Sequence, residues 1–314
     1  MIRLKSAALA GATVLLLGGL VGPAQAALPT SDRPEPCRGG TSTDSPAGAS
    51  ARGGTGGARE LDHRDMTAAE QRAIEARTAK ILAARGGGKP TAGITVPTYV
   101  HVMAGANGEG DVTDTQITEQ IAVLNKTFGG GESTYAADSG FTFTLAGLDR
   151  FYNDTWHRDR SSSAYRRATR QGGADALNTW LVDFAYLGIA TFPWDYDKKS
   201  GTDGIRVAYD SLPGGTVANY NLGETATHEA GHWMGLFHTF QGGCNEPGDY
   251  VLDTPAQSVA TNGCPEGQDS CPTEGVDSIH NYMDYNYDSC YNQFTSGQST
   301  RMNDMWTAYR APAA

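Results

Sequence analysis

His228, Glu229, His232, Gly235 and His238 stand in the run HEAGHWMGLFH, the spacing H-E-x-x-H-x-x-G-x-x-H. Residues four apart share one face of an α-helix, so His228 and His232 offer two imidazole nitrogens to one ion at about 2.0 to 2.1 Å. Glu229 lies beside them, where a carboxylate can hold and deprotonate a water whose acidity the metal has raised, then pass the proton to a departing amine. Gly235 follows one turn later. Without a Cβ it lets the chain leave the helix in a left-handed conformation and swing His238 back as third ligand. Three protein ligands leave a fourth position for water. At this composition the eleven-residue pattern arises by accident in about one such chain in 60,000. The chemistry implied is hydrolysis with one catalytic zinc. The competing reading is a zinc-stabilised secreted binding module without catalysis, and Glu229 discriminates, because a purely structural zinc site has no need of it.

The elements that must hold these residues follow from hydrophobic periodicity. ITVPTYVHVM, starting at Ile94, reads as a first strand, and Asp114 to Phe128 as a helix whose Ile117, Ile121, Leu124 and Phe128 form one apolar stripe. Alternation in Phe141, Phe143 and Leu145 gives a second strand, a short helix lies near Tyr165 to Arg170, and LNTWLVDF gives a third strand. Gly204 to Tyr209 is a fourth strand, expected at the sheet edge where an extended substrate would lie, and Gly223 to Gly235 is the zinc helix. The class is α+β, a sheet backed by helices. Other histidines carry less: His101 in the first strand reads as a hydrogen-bonded core residue, His280 gives no partner, and His63 and His157 have no metal spacing around them.

Residues 1–26 read as a signal peptide, with Arg3 and Lys5, an apolar run from Ala7 to Val21, and Ala24-Gln25-Ala26 as cleavage site. That run is short for a membrane span, so stable insertion is not expected. Residues 27–92 read as a propeptide and linker: a low-complexity stretch, a Thr67 to Glu70 capping box opening a helix that ends near Arg85, then a Gly-rich basic break with a maturation cut expected near Arg85 to Lys89. Residues 93–314 form the catalytic domain. Basic and acidic side chains number 10 and 8 in 27–92 but 12 and 27 in 93–314. An acidity of that size argues against nucleic acid and suits bound Ca²⁺ or basic peptides. Of the five cysteines, Cys244, Cys264, Cys271 and Cys290 cluster after the zinc motif in a Gly-, Pro-, Asn- and Asp-rich stretch that needs staples, with three pairings open; Cys37 stands apart.

Met283 in HNYMDY lies 45 residues after His238, and the two motifs together resemble a metzincin with its Met-turn. LNTWLVDF, LGIATFPW, the DGI strand, NLGETATHEAGHWMGLFHTF, GDYVLDTPAQ and NYMDYNYDSCYNQFTSGQSTRM resemble the pappalysin (cytophagalysin) family over nearly all of 93–314. The resemblance implies a secreted zinc metalloendopeptidase acting on protein or peptide substrates; a monomer is expected. It implies a twisted mixed sheet, a backing helix and an active-site helix above an irregular disulfide-stapled lower subdomain. Met283 would form an apolar floor beneath the zinc, and the Tyr285 hydroxyl would steady the transition state, against a plain packing role. The family's pairing implies Cys244 with Cys271 and Cys264 with Cys290. Asp249, Asp253 and Thr254 lie where some members bind calcium, although acidic loop residues are also simply solvated. Cys37 in EPCRGG is a candidate latency switch for a zymogen, with Arg38 where glycine usually follows; a free or cross-linking thiol is the alternative.

Overall fold

The computed structural model describes residues 66–85 and 93–312, with the backbone of residues 49–52. The signal-peptide segment, Cys37, His63 and the Gly-rich break after Arg85 lie outside the described residues. In chain order the elements are β1 (Ala49–Arg52), α1 (Ala68–Ala84), β2 (Ile94–Ala104), α2 (Asp114–Phe128), β3 (Phe141–Tyr152), α3 (Asp154–His157), α4 (Ser162–Thr169), β4 (Leu177–Val182), β5 (Gly188–Thr191), α5 (Tyr196–Lys199), β6 (Ile205–Ala208), α6 (Glu224–Trp233) and α7 (Ser296–Met305). The strands form one mixed sheet in the order β1-β5-β6-β4-β2-β3. β3, β2, β4 and β6 run parallel to their neighbours, whereas β5 is antiparallel to β6.

One face of the sheet carries α2 and α6. α2 starts with a Thr113–Gln116 capping box and buries Ile117, Leu124 and Phe128, the stripe its periodicity predicts, with Ile121 half-buried against the same core. α2 and α6 are joined by Gln120 Nε2 donating to Gly223 O (2.9 Å) and by the Thr127 and Thr227 hydroxyls (3.2 Å). The other face is closed by Tyr165 and Trp156 from α4 and α3, packed with Met103, Trp180 and Val182. There His101 is a fully buried core residue, its Nε2 3.0 Å from Asn178 Oδ1 and its ring stacked on Trp180, and burial lowers its pKa.

Two expectations are corrected. The strand near Gly204 is not the edge: β6 is hydrogen-bonded on both sides, and β5 lies outside it. Gly-Ile-Ala-Thr has no alternation to mark β5 as a strand, because all four of its residues are buried. Leu145 is 42% exposed, so the alternation begun by Phe141 and Phe143 does not continue inward at that position; β3 is the opposite edge strand.

Below the sheet, residues 239–295 run mostly without regular structure. They are stapled by Cys244–Cys271 and Cys264–Cys290, with Cα–Cα distances of 5.4 and 5.6 Å. Closing loops of this length stabilises the folded state by about 3.5 kcal/mol each in the chain-entropy account. Helix α1 docks onto this body through a second apolar cluster, in which Met66 and Ile74 meet Phe192, Trp194, Phe237 and Met305. Arg77 Nη1 donates to Trp194 O (3.1 Å), and Arg301 pairs with Glu75 (2.6 Å).

Candidate active site

The α6 helix is buried along its whole length, and its C-terminal turn shapes the site. Gly235 has φ +97°, and a Cβ there would sit 2.6 Å from Met305 Cγ, so both backbone conformation and space require glycine. Leu236 N donates to Gly231 O (3.0 Å), the six-to-one bond of a Schellman turn, and Leu236 O in turn accepts from His232 Nδ1 (2.8 Å). The turn that ends the helix therefore orients one of its histidines. His228 Nδ1 donates to Tyr282 O (2.6 Å), from the segment leading into Met283.

With those Nδ1 protons committed, the Nε2 lone pairs of His228 and His232 face inward. His232 Nε2 lies 3.1 Å from His228 Nε2 and 3.0 Å from His238 Nε2. Three nitrogens on a tetrahedral ion at 2.0 to 2.1 Å would be about 3.3 Å apart. Three lone-pair donors this close in a buried site fit one cation. Burial also keeps the rings neutral: it pushes His232 down to about 4 despite the Leu236 carbonyl, and His238 well below the usual histidine value. Neutral imidazoles are the form that binds metal.

Glu229 is fully buried beside this group. Strand β5 passes directly over it, since a Cβ on Gly188 would lie 2.4 Å from both Glu229 Cγ and Oε1. Gly188 is a site residue that periodicity did not find; its only sequence signal is its place in LGIATFPW. Met283 is fully buried under the helix, its Sδ 2.4 Å from where a Cβ on Gly231 would be, and its backbone N–H bonds to Asn281 Oδ1 (2.9 Å). Tyr285 packs its ring 4.8 Å from His238 and 5.0 Å from Phe240. Sequence neighbours Met283 and Tyr285 are thus both brought to the histidines, one below and one beside them.

The calcium candidates separate. Thr254 Oγ1 donates to both Asp249 oxygens (2.9 Å each), and burial pushes Asp249 up to about 7. Asp253 instead accepts from Thr295 Oγ1 (2.7 Å) and Gly297 N (2.8 Å), at the start of α7. His280 Nδ1 donates to Cys290 O (2.7 Å) and takes no part in the histidine group.

A buried hub that the sequence did not reveal holds α6 from behind. Arg310 stacks 3.5 Å over the Trp233 ring, donates to Trp233 O (2.8 Å), and pairs with Asp203 (3.1 Å), which also accepts from Trp233 Nε1 (3.0 Å).

Comparison with known proteins agrees with this geometry. A family model described as pregnancy-associated plasma protein-A, a peptidase family, matches residues 184–307. An extracellular metalloprotease of Neurospora crassa is 48% identical over 241 residues, which cover 74% of this chain and 82% of that protein. Mature mirolysin of Tannerella forsythia, solved with a cleaved peptide, is similar with a TM-score of 0.60 at 28% identity, covering 71% of this chain and 100% of that one. A promirolysin variant from the same organism gives a TM-score of 0.64 at 27% identity, over 77% and 89% of the two chains. The histidine cluster, the buried glutamate and the Met283 turn thus stand in a fold shared with mirolysin, and the chain belongs to the pappalysin family of metzincin zinc metalloendopeptidases.

Proposed function

We propose that this chain is a secreted endopeptidase made as a zymogen, in which Glu229 is the general base and His228, His232 and His238 hold the one catalytic zinc. When bound, zinc lowers the pKa of a coordinated water toward about 7 and polarises the scissile carbonyl. Glu229, fully buried on the helix between His228 and His232, would take a proton from the attacking water and return it to the leaving amine. The Tyr285 hydroxyl donates to the oxygen that gains charge in the transition state. Met283 closes the space beneath the helix and fixes the ring of His228 through the preceding Tyr282 carbonyl. Once the upstream strand β1 has left, an extended protein or peptide substrate adds to the sheet beside β5, whose backbone runs close to Glu229 because residue 188 is glycine. The observation that carries this reading is that His232 Nε2 lies within 3.1 Å of the Nε2 atoms of both His228 and His238, in a buried group, with the fully buried Glu229 on the same helix.

The zymogen reading assigns residues 1–26 to export, 27–92 to the pro-segment and 93–314 to the catalytic domain. It is supported by the register of β1, which pairs antiparallel with β5 and sets Arg52 opposite Gly188. Upstream chain so placed competes with substrate for the same edge. Cys37 remains a proposed latency switch. Calcium is proposed at Asp249 and Thr254 rather than at Asp253, whose carboxylate is committed to α7. The enzyme acts as a monomer outside the cell.

Incubation of the uncut and the matured protein with a mixed peptide library, with product termini read by mass spectrometry, tests the reading. Cleavage by the matured form that is suppressed in the uncut form and abolished by a zinc chelator is expected. No cleavage from folded, zinc-loaded matured protein would favour the binding module.

A further inference from the structure

We propose that Glu109, His157 and Asp183 form a second metal site, for a divalent ion of the zinc class, built from elements other than the catalytic helix. One potential ligand atom from each lies within 4.8 Å of the other two. Nothing in the local sequence marks His157 as a ligand, because its partners come from a loop before α2 and from the turn after β4. The fold supplies what the spacing lacks.

The decisive residue is His157, only 1% exposed. Its Nδ1 lies 2.8 Å from Met103 O, and a carbonyl can only accept, so Nδ1 carries a proton and the neutral ring keeps its lone pair on Nε2. That Nε2 is buried and has no hydrogen-bond partner, and it points toward Glu109, whose Oε2 is 3.9 Å away. Two groups with lone pairs facing each other at that distance do not satisfy one another; a cation between them satisfies both. A carbonyl holding the far nitrogen of the ring is also the usual second partner of a metal-bound imidazole.

The seat is built for the ring. Gly110 has φ +74°, and a Cβ there would lie 2.7 Å from His157 Cε1. The Tyr209 ring covers it at 5.5 Å, and Asp183 N donates to His157 O (2.7 Å), joining two of the ligand segments through the backbone. Glu109 and Asp183 are 41% and 25% exposed, which leaves the site a mouth to solvent. Arg158, 47% exposed, pairs with both carboxylates. The guanidinium is the cation that an incoming metal displaces, and its long exposed side chain can swing into solvent. One imidazole with two carboxylates suits zinc-class ions, whereas calcium and magnesium take oxygen ligands. Bound metal would tie the 105–111 loop and α3 to residues 183–187, the segment that leads into β5 over Glu229.

The experiment uses the untagged full-length chain carrying Glu229→Ala to prevent self-digestion, stripped with chelator, reloaded with zinc chloride and counted by mass spectrometry of the metal. Two equivalents per chain are expected, and one should remain in His228→Ala/His232→Ala. Asp183→Asn and Glu109→Gln, which keep shape at partly exposed positions, should each weaken the second equivalent at least tenfold, and His157→Ala should remove it. Arg158→Gln should tighten it several-fold, the opposite of what loss of a structural ion pair would do. A single equivalent in the parent, a second that is indifferent to Asp183→Asn and Glu109→Gln, or binding unchanged by Arg158→Gln would overturn the proposal.

Discussion

Backbone carbonyls set up His228 and His232 for the proposed ligand role: Tyr282 O and Leu236 O each accept a hydrogen bond from Nδ1–H and leave Nε2 as the nitrogen able to bind a cation. The same economy governs Gly188, where the missing side chain is what lets β5 approach Glu229. Gly188→Ala would place a methyl 2.4 Å from the carboxylate and push it aside. The expected result is a fall in kcat of at least about tenfold with zinc content unchanged, because a misplaced base is costly while the three histidines are untouched. Loss of zinc in that variant would show instead that the strand supports the ligands. Tyr285→Phe keeps the ring on His238 and Phe240 and removes only the donor. Its kcat should fall by about 10 to 1,000-fold with little change in KM; wild-type turnover would return Tyr285 to a packing role.

Elements position these residues through their ends. α6 is ended by a glycine turn that also orients His232, and it is held from behind by Asp203 and Arg310, whose side chains are 1% and 0% exposed. Burial lowers the Arg310 pKa, and the Asp203 carboxylate opposes that fall. Arg310→Met would remove the nearer of two buried charge partners of Asp203, leaving Arg170 at 3.7 Å, and should cost up to about 3 kcal/mol, read as a lower midpoint in urea unfolding. Asp203→Asn combined with Arg310→Met should recover part of the loss, since no buried carboxylate is then short of a partner and the Asn oxygen can still accept from Trp233 Nε1. Additive losses in the double variant would mean that the two residues stabilise α6 separately. The helix itself was legible from HEAGHWMGLFH, and α2 from its stripe and capping box. The Asp203–Arg310 pair was not, because the partners are 107 residues apart and arginine near a chain end ordinarily reads as solvated. β5 escaped for a related reason: it is four residues long and buried on both faces, so no period marks it.

At the scale of the whole molecule, the histidine group joins one helix, strand β5 and the irregular segment through Met283 and Tyr285, a segment that is itself stapled by two disulfides. The histidine cluster could be read from spacing because it lies within eleven residues of one helix and its turn. The substrate edge and the His157 cluster could not, because they are made by segments that meet only after the sheet forms. The resemblance to pappalysins supplied Met283 and Tyr285, which spacing alone would have left as core residues. The central claim is that these parts combine to activate water with Glu229 rather than merely to bind zinc. The most direct test is peptide cleavage by matured Glu229→Ala beside the parent, with zinc content measured in the same samples. The account predicts zinc retained at His228, His232 and His238 and cleavage reduced at least about 100-fold. Zinc-loaded Glu229→Ala cleaving at a rate close to that of the parent would contradict it.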